Sequence, residues 1–241
     1  MIICTMQLQQ QLLRKMSQTC KQYGLIADGD RLLVGLSGGK DSLALLDLLV
    51  LRSHILKPSF SVEAAYVRMT NISYASDESY LLSFARQRDV VLHVVETSFD
   101  PSTDRRHQPC FLCSWNRRKQ LFALAQRLGC NKLALGHHRD DILQTALMNL
   151  CFTGQFSSMP PMLRMNKFDL AIVRPLCEIR ERLLGEYAAE QQFLPQKVLC
   201  PYDDATRRAD MKHIVEQLEA MNPELEYSVW HALQRVRQRQ D

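Results

Sequence analysis

From Met6 to Tyr23, Leu and Met recur at loosely helical spacing up to Gly24, a residue suited to a helix C-cap, so a leading helix is expected. A turn follows at Asp28-Gly29-Asp30. Arg31 to Leu36 is a short apolar run opened by a charge and closed by glycines, the pattern of a strand in a parallel sheet, and Leu43 to Leu51 reads as the helix after it. The alternation then repeats. Strands are expected at Ser61 to Met69, Val90 to Glu96 and Lys132 to Gly136, with helices at Ala75 to Arg88, Ser114 to Leu128 and Ile142 to Cys151. Beyond Phe152 the pattern loosens through Met159-Pro160-Pro161, then predicts a short strand at Ala171 to Arg174 and a helix from Glu178 to Phe193. The C-terminal stretch reads as helical, with Asn222 as N-cap and Pro223 at the first helical position. Strands alternating with helices require crossover connections. The expected fold is therefore α/β, a doubly wound, mostly parallel sheet with N- and C-terminal helices, binding ligands at the carboxyl ends of its strands. The expected layout is a helix and turn over residues 1–30, the α/β domain over 31–200 and a helical extension over 201–241.

Composition narrows the class without naming a function. The 241 residues are 46% hydrophobic and 23% charged, as in an ordinary globular protein, and a formal charge of +4 suits a polyanionic partner without requiring one. The first ten residues lack the apolar core of a secretory signal, and the longest apolar stretch, Leu43 to Leu51, is interrupted by Asp47 and too short to cross a bilayer. A cytoplasmic enzyme with no membrane contact is the expectation. Eight cysteines in a reducing compartment do not form a disulfide framework, so metal binding, catalysis or burial must account for them.

The strongest local signal is Ser37-Gly38-Gly39-Lys40-Asp41-Ser42, set between a strand and a helix. Backbone N–H groups and the positive end of a helix dipole converge there on one anion site. The glycines let the backbone approach phosphate, Lys40 adds a point charge, and Ser37 and Ser42 add hydroxyl donors. Asp41 repels phosphate unless a magnesium ion lies between them. A polar Gly-Gly turn is the bland alternative. The loop is not a Walker A motif, which needs Gly at the position of Val34 and Ser or Thr at that of Asp41. It resembles instead the SGGxDS signature of the PP-loop ATP pyrophosphatases, a resemblance that implies ATP binding through its pyrophosphate end and adenylation of a substrate oxygen. Gly136-His137-His138-Arg139-Asp140-Asp141, at the end of the fourth predicted strand, is similar to the GHxxDD motif of the tRNA-thiolating branch. One of its two carboxylates is expected to cap the following helix and the other, Asp141, to face the nucleotide through magnesium.

Cys110 and Cys113 form a CxxC expected just before a helix, where both sulfurs reach one metal and the helix end favours the thiolate. Taken alone this pair also fits zinc or redox chemistry. Cys130, Cys151 and Cys177 lie in apolar surroundings and are expected to be buried, whereas Cys200 sits in a loop beside Pro201. PCFLCSWNRR, LGHHRDDILQT, MPP, IVRPL and a lone Cys200 follow in the order of the tRNA 2-thiocytidine synthetase family, a resemblance spanning Arg31 to Pro201. It implies a [4Fe-4S] cluster on Cys110, Cys113 and Cys200, with one iron open for the transferable sulfur. It also implies ATP activation of the C2 carbonyl of a cytidine in a tRNA anticodon loop, then displacement of AMP by sulfur from sulfide or a donor protein. A homodimer is left open. Arg117, one turn after Cys113, is expected to reach the phosphates, and Arg105, Arg106, His107, Arg118, Lys119 and Trp115 to meet RNA. The chain departs from the family in ending sooner than its longer members, which leaves open whether it keeps a C-terminal RNA contact. It also carries Gln144 in place of an acidic residue, and its third cysteine lacks a CxxC partner.

Overall fold

The computed structural model describes residues 2–74, 78–100, 102, 109–166, 169–196, 198–199 and 207–238. Helix α1 (Ile2–Gln22) ends at Gly24, whose φ of +60° is the left-handed conformation of a C-cap, and leads to β1 (Arg31–Gly35) and α2 (Lys40–Ser53). After β2 (Ser61–Met69) come the two-residue β3 (Ser73–Tyr74), α3 (Ser79–Arg86), β4 (Leu92–Thr97), α4 (Pro109–Leu128), β5 (Lys132–Ala134) and α5 (Arg139–Thr153). The remainder is β6 (Met162–Arg164), β7 (Ala171–Val173), α6 (Glu181–Glu190), β8 (Val198–Leu199), α7 (Arg207–Met221) and α8 (Leu225–Gln238).

Six strands form one sheet in the order β4-β2-β1-β5-β7-β6, all parallel except β6, which runs antiparallel to β7. From β1 the chain builds outward through β2 and β4, then crosses to the other side of β1 to lay down β5 and β7. The strand order therefore reverses between β1 and β5, and the crevice beyond their carboxyl ends is the switch point at which such sheets bind ligands. The loops after β1 and β5 carry the SGGKDS and GHHRDD motifs, so the topology alone brings the two together.

Helices cover both faces of the sheet. On one, Leu12 and Met16 of α1, Leu43 and Leu46 of α2, Leu81 and Phe84 of α3 and Leu184 and Tyr187 of α6 pack on Leu32, Val34, Ala64 and Tyr66. On the other, Leu121, Leu124 and Ala125 of α4 pack on Leu33, Ala65, Val67, Leu133 and Ile172. Every residue of α2 from Ser42 to Val50 is buried, so the helix beneath the glycine loop is locked from all sides. Each of its fully buried leucines, Leu43, Leu45, Leu46, Leu48 and Leu49, contributes about 1.5–3 kcal/mol by leaving water. Asp47 lies within this helix as a paired charge, accepting from Arg88 Nε at 2.6 Å and from the Tyr187 hydroxyl. Two smaller clusters join α5 to the C-terminal helices, one of Leu143, Met211 and Val215 and one of Ile142, Ala146, Cys177 and Leu233. No helix among the described residues is long and apolar enough to cross a membrane.

Several boundaries differ from expectation. Helix α4 is already helical at Pro109, five residues ahead of the expected Ser114, so the CxxC lies within the helix and not before it. Helix α3 begins at Ser79 and ends at Arg86, while α6 covers only Glu181–Glu190 of the predicted Glu178 to Phe193. Asn222 accepts from Glu224 N as a cap does, but Pro223 stays in the turn and α8 starts at Leu225. Cys177 and Cys130 are buried as expected, and burial pushes the Cys20 thiol up to about 12, which leaves it inert. Cys151 is exposed, because it faces outward on α5 between Leu150 and Phe152, which are exposed as well.

Candidate active site

The loop after β1 is shaped by its own hydroxyls. Ser37 N and Ser37 Oγ each lie 3.1 Å from Ser42 Oγ, Gly39 N donates to Ser37 Oγ at 3.3 Å, and Ser42 Oγ donates to Gly39 O at 2.9 Å. Ser42 is buried and its single proton goes to Gly39 O, so it braces the loop here and does not offer the donor expected for phosphate. Gly38 has φ +84°, and its carbonyl accepts from Gln196 N at 2.8 Å. Gly39 is the N-cap of α2, with no side chain capping it, so the N–H groups of Lys40 and Asp41 are left for an anion while Ser42 N already donates to Gly39 O at 3.1 Å.

Across the switch point, Gly136 presses the loop after β5 onto the loop after β1. A Cβ at this position would lie 3.2 Å from Asp41 C, Asp41 O and Ser42 N, so any larger residue would push the two loops apart by a few tenths of an ångström. His138 caps α5, accepting from Asp141 N at 3.3 Å, while Asp141 Oδ2 accepts from His138 N at 3.1 Å. Capping of α5 thus falls to His138 and Asp141. Asp140, the expected cap, reaches elsewhere and accepts from Glu181 N at the start of α6 at 2.7 Å. Arg174 ties the MPP segment to this loop, donating to Pro160 O at 2.6 Å and to His137 Nδ1 at 3.3 Å.

The charges are dense and mutually biased. His138 is buried with Asp140, Asp141 and Asp41 at 3.5, 3.4 and 3.9 Å. Burial opposes its protonation, but those carboxylates outweigh burial and raise its pKa above the ordinary imidazole value. Burial raises the Asp41 pKa even against the pull of His138 and Lys40. Lys40 Nζ donates to Asp41 Oδ2 and Glu181 Oε1, each at 3.0 Å, and Lys212 of α7 donates to Glu181 Oε2 at 3.0 Å. For Glu181, burial is overcome by the two lysines, which hold its pKa below the usual carboxylate range. Lys40, Asp140, Gln144, Glu181 and Lys212 line a cavity of about 350 Å³ beside the loop. Neither Glu181 nor Lys212 stood out in the sequence, since each is an isolated charge on a helix far from the motif.

Asp41 Oδ1 is buried with no hydrogen-bond partner, an orphaned carboxylate oxygen that fits a hard cation beside a phosphate. Among the described residues no three His, Cys, Asp or Glu side chains converge as a complete metal cage. A magnesium ion here would draw its remaining ligands from phosphate and water, as this ion commonly does.

The N-terminal part of α4 carries Cys110, exposed, and Cys113, half-buried against Met69, Ile72 and Phe99. Three residues apart on a helix, they share a face. Arg117 follows one turn later, half-buried, with Trp115, Arg118 and Lys119 more exposed. Cys200, Arg105, Arg106 and His107 lie outside the described residues. Leu199, which precedes Cys200 in the chain, pairs with Ser73 in the small β3–β8 ribbon, and Ser73 follows Ile72 of the cluster that packs on Cys113.

A family model for the PP-loop domain matches residues 7–195. A tRNA-cytidine(32) 2-sulfurtransferase of Sorangium cellulosum is 35% identical over 96% of this chain and 83% of its own length. Its counterpart in Shewanella amazonensis is 34% identical over 94% of this chain and 72% of its own. Among solved structures, the U34-tRNA thiolase NcsA from Methanococcus maripaludis with its [4Fe-4S] cluster superimposes with a TM-score of 0.77 at 26% identity, covering 94% of this chain and 78% of that one. The NH3-dependent NAD synthetase from Campylobacter jejuni shares the fold alone, with a TM-score of 0.50 at 13% identity. The uncapped glycine loop facing a carboxylate-rich helix start is thus set in a chain that belongs to the PP-loop family and, within it, to the tRNA-cytidine(32) 2-sulfurtransferases.

Proposed function

We propose that the chain is an ATP-dependent tRNA sulfurtransferase that converts a cytidine of the anticodon loop, at the position for which its relatives are named, to 2-thiocytidine. The observation that carries this reading is the meeting of two sequence-distant loops at the switch point, where Gly136 lies against Asp41 and Ser42 and faces the open N-terminus of α2. The C2 carbonyl oxygen of the cytidine attacks the α-phosphate of ATP, forming a C–O–P bond and releasing pyrophosphate. Gly38, Gly39 and the first N–H groups of α2, with Lys40, receive the developing negative charge on that leaving group. Arg117 reaches the phosphates from α4. Sulfur, brought as sulfide or by a donor protein, then takes the place of oxygen at C2 and AMP departs with the oxygen.

Asp41 and Asp141 would hold magnesium, which supplies charge neutralisation between carboxylate and phosphate. Cys110 and Cys113, on one face of α4, would hold a [4Fe-4S] cluster with Cys200. Their partial exposure and the pairing of Leu199 beside Ile72 support that assignment. Such a cluster supplies an iron site for the sulfur being transferred. We place the reaction in the cytoplasm, with tRNA as partner, and treat residues 31–200 as the nucleotide domain and 201–241 as its helical extension.

Nucleoside mass spectrometry of tRNA from a deletion strain tests the function. 2-Thiocytidine should disappear, return with the wild-type chain and stay absent with Lys40→Ala; an unchanged thionucleoside profile would reject the proposal. Iron and sulfide analysis after anaerobic purification separates the cluster from a zinc site or a redox dithiol.

A further inference from the structure

The Lys40 ammonium, assigned above to the leaving pyrophosphate, already carries carboxylates: Glu181 Oε1 and Asp41 Oδ2 both sit 3.0 Å from Nζ. Glu181 is the first residue of α6, and its N–H is fixed by Asp140 Oδ2 at 2.7 Å. Lys212 of α7 lies 3.0 Å from its other oxygen, Oε2. One turn along α6, Gly185 lies alongside the lysine stem, where a Cβ would make only an ordinary van der Waals contact, 4.0 Å from Lys40 Cε. A carboxylate 3.0 Å from the ammonium occupies a direction that a phosphate oxygen needs and repels that oxygen by its own charge. Both groups cannot occupy that direction together.

We infer that Glu181 is a positioning residue for the loop lysine, holding Lys40 at the mouth of the site before nucleotide arrives and giving it up to the triphosphate while Lys212 retains the released carboxylate. This rests on the reading that ATP occupies the loop after β1. The Lys212 side chain is half exposed, so it can follow Glu181 as the carboxylate turns away, and the exchange leaves no charge buried without a partner. ATP affinity is therefore set by a competition in which Lys212 weakens the hold of Glu181 on Lys40.

Titration of the full-length chain with MgATP, without tRNA or sulfide, reads this competition directly. Glu181→Gln should bind MgATP roughly three- to tenfold more tightly than wild type, the scale of one partly exposed ion pair removed from competition. Lys212→Ala should bind more weakly, because Glu181 then bears wholly on Lys40, and the double variant should match Glu181→Gln. Glu219→Gln, which removes a charge from the same cavity wall without touching Lys40, should change little. Equal tightening by Glu219→Gln would reduce the effect to the general field and overturn the inference. So would a double variant as weak as Lys212→Ala, or an unchanged affinity in Glu181→Gln. The Lys212→Ala arm is an independent test should Glu181→Gln fold poorly. A wild-type chain that binds no MgATP would instead remove the nucleotide reading itself.

Discussion

Gly38 combines a φ of +84° with a close neighbour, because a methyl added to its Cα would sit 2.8 Å from both Cβ and Oε1 of Gln196. Gly38→Ala should therefore weaken MgATP binding at least tenfold while lowering the melting temperature by only a few degrees, since left-handed strain at one residue costs about 1–2 kcal/mol and the Gln196 side chain it meets is only half-buried. Titration and calorimetry on the same sample check both halves, and undiminished binding would mean that the loop need not hold this shape. Lys40 is different: it contributes charge and no core contact, and its side chain is 31% exposed. Lys40→Ala should abolish thiolation with the fold intact by circular dichroism, and full activity in a folded variant would refute its role. For the aspartates, we expect Asp141→Asn to impair magnesium-dependent ATP use more than Asp140→Asn does. The capping box with His138 adds that Asp141→Asn also loosens α5 by about 1 kcal/mol, so ATP use must be compared at a temperature where both variants are folded. The sequence showed these carboxylates but not their division of labour, because imidazole is an unusual N-cap acceptor and local spacing does not reveal that Asp140 reaches α6.

Helix α4 is where the reading of the cysteines stands or falls. The helix carries Cys110 and Cys113 two turns and one turn before Arg117 on the same rod, so the two sulfurs and that guanidinium are held in fixed relation. Cys110→Ala, Cys113→Ala and Cys200→Ala should each lose the brown iron–sulfur absorbance and thiolation together while retaining MgATP binding. Cys130→Ala and Cys177→Ala should keep both, with the modest destabilisation of trimming a buried side chain, and exposed Cys151→Ala should behave as wild type. If Cys200→Ala retains its iron and its activity, the three-cysteine cluster is wrong. The elements most legible in the sequence were those with a long hydrophobic period or a bounding glycine, such as β1, β2 and the start of α2. Strands β3, β6 and β8, of two or three residues each, were invisible because no period can be read over so short a run. Yet β3 and β8 form the ribbon that pairs Leu199 with Ser73, the neighbour of Ile72 in the cluster that packs on Cys113, so a pairing illegible in the sequence lies next to the CxxC helix.

Across the whole molecule, the contacts that organise the site join helices remote in the chain, and such partners leave no local pattern. Lys40 meets Glu181 from 141 residues away, and the C-terminal helices pack on α5 while Lys212 of α7 reaches Glu181 at the start of α6. Glu226 of α8 shows how tightly. It is buried, and its two oxygens face Arg139, the first residue of α5, and Arg180, the N-cap of α6. One carboxylate therefore ties together the starts of the two helices that carry Asp140, Asp141 and Glu181, while Trp230 of α8 lies 5.5 Å from the Arg139 guanidinium. Removing that charge leaves two guanidiniums facing each other around a neutral amide, and Arg139 has little access to water that would screen it. Breaking a buried pair by neutralising one partner costs about 3–5 kcal/mol, and because the Arg180 side chain is 46% exposed we take the lower part of that range. Glu226→Gln should thus lower the melting temperature by roughly 5–10 °C for a chain of this size. It should also weaken MgATP binding, since the same change loosens the helix starts that flank the loop after β1. Glu224→Gln, at an exposed position in the preceding turn, is the matched control and should change neither. Glu226→Gln with wild-type melting and wild-type affinity would show that the C-terminal helices lie beside the site without bracing it.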